Sequence, residues 1–169
     1  MNKGSLMPQA VPQADVASLI IENTKKVFSV MLSTSVSGEP SVVYDDPNGP
    51  EGDVVSLVGF VGQWTGTGSV CCSSEVARKV SGLMLLTEFP TVSEDVLDAI
   101  GEVTNMIVGN LKDALEPVLG PLGLGTPTVI HGAHLKARNL NGERWTTVSF
   151  SFMGGVLDVK VSLRPGNSV

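Results

Sequence analysis

The sequence predicts an α+β fold of two layers, with two long helices packed on one face of an antiparallel sheet of about six strands. Two long segments carry apolar residues at helical spacing, and shorter segments between turn-forming residues have the character of strands. A long helix followed by about three strands occurs twice, with roughly 80 residues between the two helix starts. This repetition predicts pseudo-duplicated halves, each made of a helix plus three strands.

The composition is typical of one compact domain, because 42% of the 169 residues are apolar and 17% are charged. We expect this domain at residues 13–165, after a disordered or vector-derived N-terminus at residues 1–12. The formal net charge of −6 argues against nucleic acid and anionic membranes as partners. No apolar stretch approaches the roughly 18 residues of a membrane-spanning helix, and no secretory signal is evident. We therefore expect a cytoplasmic protein with reduced cysteines.

The first half begins with a long amphipathic helix predicted at residues 15–32. Its apolar stripe consists of Val16, Leu19, Ile20, Val27, Val30 and Met31. Turn-forming clusters at residues 46–50 and 65–68 separate three predicted strands, at about residues 35–44, 54–62 and 69–73. A shorter helix follows at about residues 75–86, with Ser73 or Ser74 as its N-cap.

The second half begins with the other long helix, for which Thr91 and Ser93 are competing N-caps. Glu94 and Asp95 stand where the positive end of the helix dipole favours acidic side chains, and Pro117 is expected to end the helix at about Glu116. A Gly- and Pro-rich linker and three predicted strands follow, the strands at about residues 128–131, 145–153 and 156–163.

The second long helix has an informative exposed face. At about 100° per residue, one face is predicted to be buried, formed by Val96, Ile100, Val103, Ile107, Leu111 and Ala114. On the opposite face Asp98, Glu102, Asn105 and Gly109 fall within about 60° of one another. A carboxylate and a carboxamide one turn apart thus point outward together. Glycine and asparagine are poor helix formers, so a role other than helicity is indicated, and Gly109 leaves room for a partner surface.

Residues 98–110 resemble the active-site helix of the CheC, CheX and FliY family of chemotaxis phosphatases. The family signature is an acid or Ser, three residues, Glu, two residues and Asn, and Asp98, Glu102 and Asn105 fill it. Residues 68–80 are also similar to the strand-to-helix passage before that helix, so the likeness covers about residues 13–163. On the first long helix Glu22 is followed three residues later by Lys25, so the site that two-site relatives of the CheC type carry on this helix is missing. This difference favours the single-site CheX type.

The resemblance implies a protein aspartyl-phosphate phosphatase, a hydrolase that acts on a CheY-like response regulator. It implies that Glu102 forms a salt bridge with a Lys of the regulator, that Asn105 positions the attacking water, and that Asp98 has a supporting role. No cofactor is expected on this chain, since the Mg²⁺ belongs to the regulator's receiver domain. The resemblance also implies a homodimer formed through the sheets.

Other functions have weaker support. A non-catalytic dimeric CheX-like scaffold in two-component signalling is the main alternative, because it would keep the same fold. His131 and His134 lack a third metal ligand at a sensible spacing, so we expect no metal site. The Gly-rich loops do not have the spacing of a nucleotide site, and no nucleophile with a matching base indicates a covalent intermediate.

Overall fold

The computed structural model describes residues 10–138 and 141–167, in which three helices pack on an antiparallel sheet of seven strands. The predicted α+β class is confirmed, while the sheet has one strand more than the six expected. The prediction for the N-terminus falls mainly on residues 1–9, which lie outside the described residues. Along the chain the elements are α1 (Gln13–Met31), β1 (Ser37–Asp46), β2 (Glu51–Gly62), β3 (Trp64–Cys72), α2 (Ser74–Leu85), α3 (Glu94–Leu119), β4 (Leu122–Leu124), β5 (Thr128–Lys136), β6 (Trp145–Phe152) and β7 (Gly155–Pro165).

The sheet interleaves the two halves of the chain. Its strand order is β1-β6-β7-β3-β2, and both β4 and β5 pair with β2 at the far edge. The first strand of each half therefore pairs with the second strand of the other half, and the third strands pair with each other in the centre. Exchanging the halves would leave this pattern unchanged, although the internal duplication itself stays a prediction.

The first helix buries a shorter stripe than its sequence indicates. The predicted stripe is buried or half-buried up to Val27, but the predictions for Val30 and Met31 were wrong, since these side chains are 67% and 49% exposed. Phe28 fills the core at this end instead, packing edge-on against Phe152 with 5.2 Å between ring centroids. Burial of Phe28 fixes the rotation of the last turn, so that Val30 and Met31 face solvent.

The Thr-Gly-Thr-Gly cluster at residues 65–68 is part of β3 and not a turn, so that prediction was wrong. Its glycines lie where neighbouring chain comes too close for a side chain. A Cβ on Gly66 would collide with the carbonyl oxygen of Ser162 on β7, and one on Gly68 would lie 2.7 Å from the Cγ2 of Val108 on α3. Gly66 therefore marks close packing within the sheet, and Gly68 marks close packing between the sheet and α3.

The helix α3 is the longest element and carries the largest part of the core. Most of its predicted inner face has no exposed surface, but the prediction for Ala114 was wrong, because that residue is exposed and Leu115 is buried in its place. The helix also continues past Pro117, where it was expected to end. Buried Leu119 holds the last turn, and the Gly120 N–H closes it with a 2.9 Å bond to the Glu116 carbonyl.

Two further elements differ from the prediction. The linker after α3 contains β4, a strand of three residues that pairs with Phe60–Gly62 and buries Leu122. The strand β5 runs to Lys136, five residues beyond its predicted end, because it follows β2 past an irregularity near Gly52. In the described part of the chain no helix is long and apolar enough to cross a membrane.

The link between β1 and β2 crosses the face of the sheet opposite the helices. These strands are four positions apart, a distance of about 19 Å, which residues 47–50 can span only in a nearly extended form. Lys160 of β7 anchors this crossing segment, because its Nζ donates to Asp46 Oδ2 at 3.0 Å and to the Asn48 carbonyl at 3.2 Å. The side chains of Lys160 and Asp46 are only 4% and 8% exposed.

The Asp46 carboxylate is well compensated for its burial. Burial alone would raise its pKa, but hydrogen bonds from the Asn48 N–H, from Thr147 and from Lys160 outweigh that effect and leave the pKa below its usual value. Lys160 thus joins the crossing segment to the centre of the sheet.

Replacing Lys160 with Met should lower the free energy of unfolding by about 3 kcal/mol, because the Asp46 carboxylate would stay buried without its cation. Denaturant titration at pH 7 would measure this change. The matched control is Lys136→Met, which breaks an exposed pair with Glu51 at 4.0 Å and should cost about 0.5 kcal/mol or less. Equal costs for the two variants would contradict the anchoring role of Lys160.

Candidate functional site

The candidate site lies on the outer side of α3, whose inner side is fixed against the sheet. Val103 and Ile107 at the middle of the helix have no exposed surface, and bare Gly68 of β3 lets Val108 come close. Because a helix turns about 100° per residue, burial of these side chains determines which residues face outward. The local sequence thus sets the direction of the site.

The structure places the four predicted site residues along one ridge of α3. Asp98 and Glu102 are exposed, while Asn105 and Gly109 are half-buried. Residues three and four apart on a helix have Cβ atoms about 5–6 Å from each other, so the Glu102 carboxylate and the Asn105 amide are neighbours. The ridge therefore brings together an acid, a second acid, an amide and a stretch of bare backbone.

Glu102 and Asn105 are free to bind something outside the chain. Among the described residues, neither side chain makes a hydrogen bond or an ion pair. Their neighbour Thr104 is buried and donates its Oγ1 hydrogen to the Ile100 carbonyl at 2.7 Å. Further along the helix Lys112 pairs with Glu116 at 2.9 Å. Glu102 and Asn105 are thus left unpaired, whereas Thr104 and Lys112 of the same helix have partners within the chain.

A groove runs beside the N-terminal half of this ridge, between α3 and the start of β5. Its volume is about 460 Å³, and it is lined by Glu94, Leu97, Asp98, Gly101, Glu102, Pro127 and Val129. Sequence reasoning missed the groove, because Pro127 and Val129 come from a distant segment. The position of Glu94 four residues before Asp98 was the one available signal, since that spacing puts both acids on one face.

The two glycines of α3 have different surroundings. A Cβ on Gly101 would lie 3.2 Å from the Cγ2 of Val129, whereas one on Gly109 would lie 3.7 Å from the Cδ1 of Leu124. The first distance is tight and the second is an ordinary van der Waals contact. Gly101 is therefore explained by packing against β5, while packing within the chain does not require Gly109 to be bare.

The described residues contain no group of three or more His, Cys, Asp and Glu side chains that could hold a metal ion. His134 is 95% exposed, and its Nδ1 lies 4.0 Å from Asp53 Oδ1. Asp53 has a structural role, since its oxygens accept the N–H groups of Ser74 at the start of α2 and of His134 in β5. These bonds lower the pKa of the Asp53 carboxyl, with that from Ser74 the larger cause.

Comparison with known proteins identifies similar chains. Residues 54–151 match the family described as Chemotaxis phosphatase CheX. A protein of Thermotoga maritima named CheY-P phosphatase CheX is 34% identical over 123 residues, covering 71% of this chain and 75% of its own. The crystal structure of the chemotaxis protein CheX from Desulfovibrio desulfuricans is 28% identical with a TM-score of 0.76, over 89% of this chain and 99% of the other.

A further structure, of a CheX-CheY-BeF3-Mg²⁺ complex from Borrelia burgdorferi, has a chain that matches this fold. The TM-score is 0.73 at 22% identity, over 87% of this chain and 96% of the other. At that identity the likeness concerns the fold alone.

Replacing Gly109 with Ala should raise the free energy of unfolding by about 0.5–1 kcal/mol, because the helix gains a better former and the new methyl meets no clash. Denaturant titration would measure the change. Gly101→Ala is the matched control on the same helix and should gain less or lose stability, since its methyl must push Val129 aside. A loss of stability in Gly109→Ala would show that packing within the chain does require the glycine.

Proposed function

The chain belongs to the CheX family of chemotaxis phosphatases, and we propose that it hydrolyses the aspartyl-phosphate of a CheY-like response regulator. One observation carries this proposal: an unpaired carboxylate and an unpaired carboxamide stand one turn apart on the outward ridge of α3. The pair is formed by Glu102 and Asn105, which also fill the family signature. The reaction is the hydrolysis of an acyl phosphate, which yields a free carboxylate and inorganic phosphate.

Asn105 is proposed as the residue that positions the attacking water. Phosphoryl transfer passes through a loose transition state in which the protein gains most by placing the nucleophile in line. A carboxamide suits this task because its oxygen accepts a hydrogen bond from the water while its NH₂ donates to a phosphoryl oxygen. No covalent intermediate on this chain is needed, and Asn105 acts by orientation alone.

Glu102 is proposed as the docking residue. Its exposed carboxylate is positioned to form a salt bridge with a Lys of the receiver domain, and the rigid helix would then set the depth at which Asn105 enters. A carboxylate and a cation held in a fixed geometry position the partner as well as attract it. The half-buried position of Asn105 supports these separate roles of Glu102 and Asn105. The Asn105 side chain is the shorter of the two and stands beside bare Gly109, so the partner can come close.

The names of the relatives support a CheY-like response regulator as the partner. The Thermotoga protein is named for phosphorylated CheY, and the Borrelia complex contains CheY together with BeF3 and Mg²⁺. We propose that the Mg²⁺ stands in the receiver domain and that this chain brings no cofactor of its own. We also propose that the protein acts in the cytoplasm as a homodimer formed through the sheets.

The first helix supports a single site per chain. On α1 the corresponding ridge shows exposed Glu22 and exposed Lys25. Asn23 is the amide on this stretch, and it is only 9% exposed and donates to the Leu19 carbonyl at 2.8 Å. An amide already bonded within its own helix is not available to orient water.

Replacing Asn105 with Ala should reduce the acceleration of phospho-receiver decay by about 100-fold or more, because the water loses its orientation. The assay follows the decay of a phosphorylated CheY-type receiver with Mg²⁺ and catalytic amounts of this protein. Asn110→Ala is the matched control, since it removes a half-buried Asn elsewhere on the same helix and should leave the rate unchanged. Full activity in Asn105→Ala would rule out the proposed mechanism, and binding without acceleration by the wild type would favour a non-catalytic scaffold.

Replacing Glu102 with Gln should raise the protein concentration needed for half-maximal rate by about tenfold while the maximal rate changes less, because an interfacial charge pair is lost. Rates measured over a range of receiver and protein concentrations would separate the two parameters. Asp113→Asn removes an exposed charge from the same helix outside the ridge and serves as the control. A fall in maximal rate alone would assign Glu102 to the chemical step instead of docking.

A further inference from the structure

We propose that the groove beside the N-terminal half of α3 binds a second basic side chain of the receiver, a Lys or an Arg distinct from the one that meets Glu102. This inference rests on the proposed function and deepens it, because it assigns Glu94 and Asp98 a role in the selection of the receiver. The groove is the space of about 460 Å³ between α3 and the start of β5, and Glu102 lines the end of it that lies nearest Asn105.

The groove has an apolar wall and an acidic rim. Leu97, Pro127 and Val129 form the apolar wall. Gly101 also lines the groove but has no side chain, and a Cβ at this position would press on Val129. Glu94 and Asp98 form the rim, and both are exposed. The apolar wall and the acidic rim line the same open groove, so a ligand that occupies it can contact both.

The acids of the rim have no internal partner. Within residues 10–138 and 141–167, neither Glu94 nor Asp98 is in an ion pair, whereas Glu75 pairs with Lys79 at 2.8 Å. The whole chain carries a formal net charge of −6, so the rim adds to a field that attracts cations. Unpaired carboxylates beside an apolar wall are complementary to a cation on an aliphatic stem.

A Lys or Arg side chain has this chemistry. Its methylene groups cover apolar surface while its charged end stays at the polar rim. A small inorganic cation would gain nothing from the wall, and an aliphatic side chain would leave the acids unpaired. The charged head would meet Glu94 and Asp98, and the stem would lie on Leu97 and Val129.

The groove is continuous with the proposed catalytic pair. Glu94, Asp98 and Glu102 follow one another at intervals of four residues, and Asn105 comes one turn later on the same ridge. Docking in the groove would therefore hold the receiver at the end of the ridge opposite Gly109. Partner selection and water positioning would then lie on one rigid helix, and a receiver without the second basic side chain would bind less well.

The test is a charge reversal with a matched neighbour. Glu94→Lys should raise the half-maximal concentration for receiver dephosphorylation about tenfold and change the maximal rate less than twofold. Asp95→Lys makes the same change of charge in the same first turn of α3 but lies outside the groove, so it should shift the half-maximal concentration less than twofold. Equal effects of the two variants would overturn the proposal, because they would reflect the helix dipole or overall charge.

A second variant tests the wall. Val129→Thr keeps the branched shape of the side chain but replaces a methyl with a hydroxyl, and it should weaken docking about threefold. Binding of each variant to a receiver loaded with BeF3 and Mg²⁺ is measured beside the decay assay. If the wild type binds without accelerating decay, the proposed function fails and the binding data alone decide on the groove. If it accelerates decay but Glu94→Lys binds normally, only the groove proposal fails.

Discussion

The structure depends on the burial of one side of α3 against the sheet. Five apolar side chains at helical spacing have no exposed surface, namely Val96, Ile100, Val103, Ile107 and Leu111. Removing such side chains from water is worth roughly 1.5–3 kcal/mol each, far more than any contact on the exposed ridge. The helix therefore cannot rotate to suit a partner, and Glu102 and Asn105 are presented in one direction. Even the bare Gly68 on β3 serves this constraint, since it admits Val108 at close range.

The opposite face of the sheet is held by polar contacts. Lys160 and Asp46 lie where the crossing segment passes over β7, and Thr147 adds a 2.7 Å hydrogen bond to the same carboxylate. Ala137, after β5, donates its N–H to the Pro50 carbonyl at 2.8 Å, so the chain leaving β5 meets the crossing segment. Helices thus cover one face of the sheet, and the crossing segment lies against the other.

Sequence reasoning was reliable where a pattern depends on near neighbours. The two long helices, the hairpin of β6 and β7 and the ridge of α3 all follow from spacing within one segment. It was wrong where packing with distant chain decides, as with exposed Val30 and Ala114 and with the glycines of β3. The groove could not be predicted for the same reason, because Val129 reaches α3 only through the pairing of β5 with β2. Residue identity indicated the chemistry of the site, but only the strand order shows which surface surrounds it.

The interleaved strand order has a consequence for synthesis of the chain. Ser41 of β1 pairs with Ser149 of β6, so the first strand to leave the ribosome waits for more than half of the chain before it has a neighbour. Until then β1 has no partner strand, and α1 lacks β6 and α3, against which it packs. Contacts of such long sequence separation make folding slow, because the loop must close before the pairing stabilises it. Until β6 is made, the nascent chain thus exposes an unpaired strand, a feature that favours association with other unfolded chains.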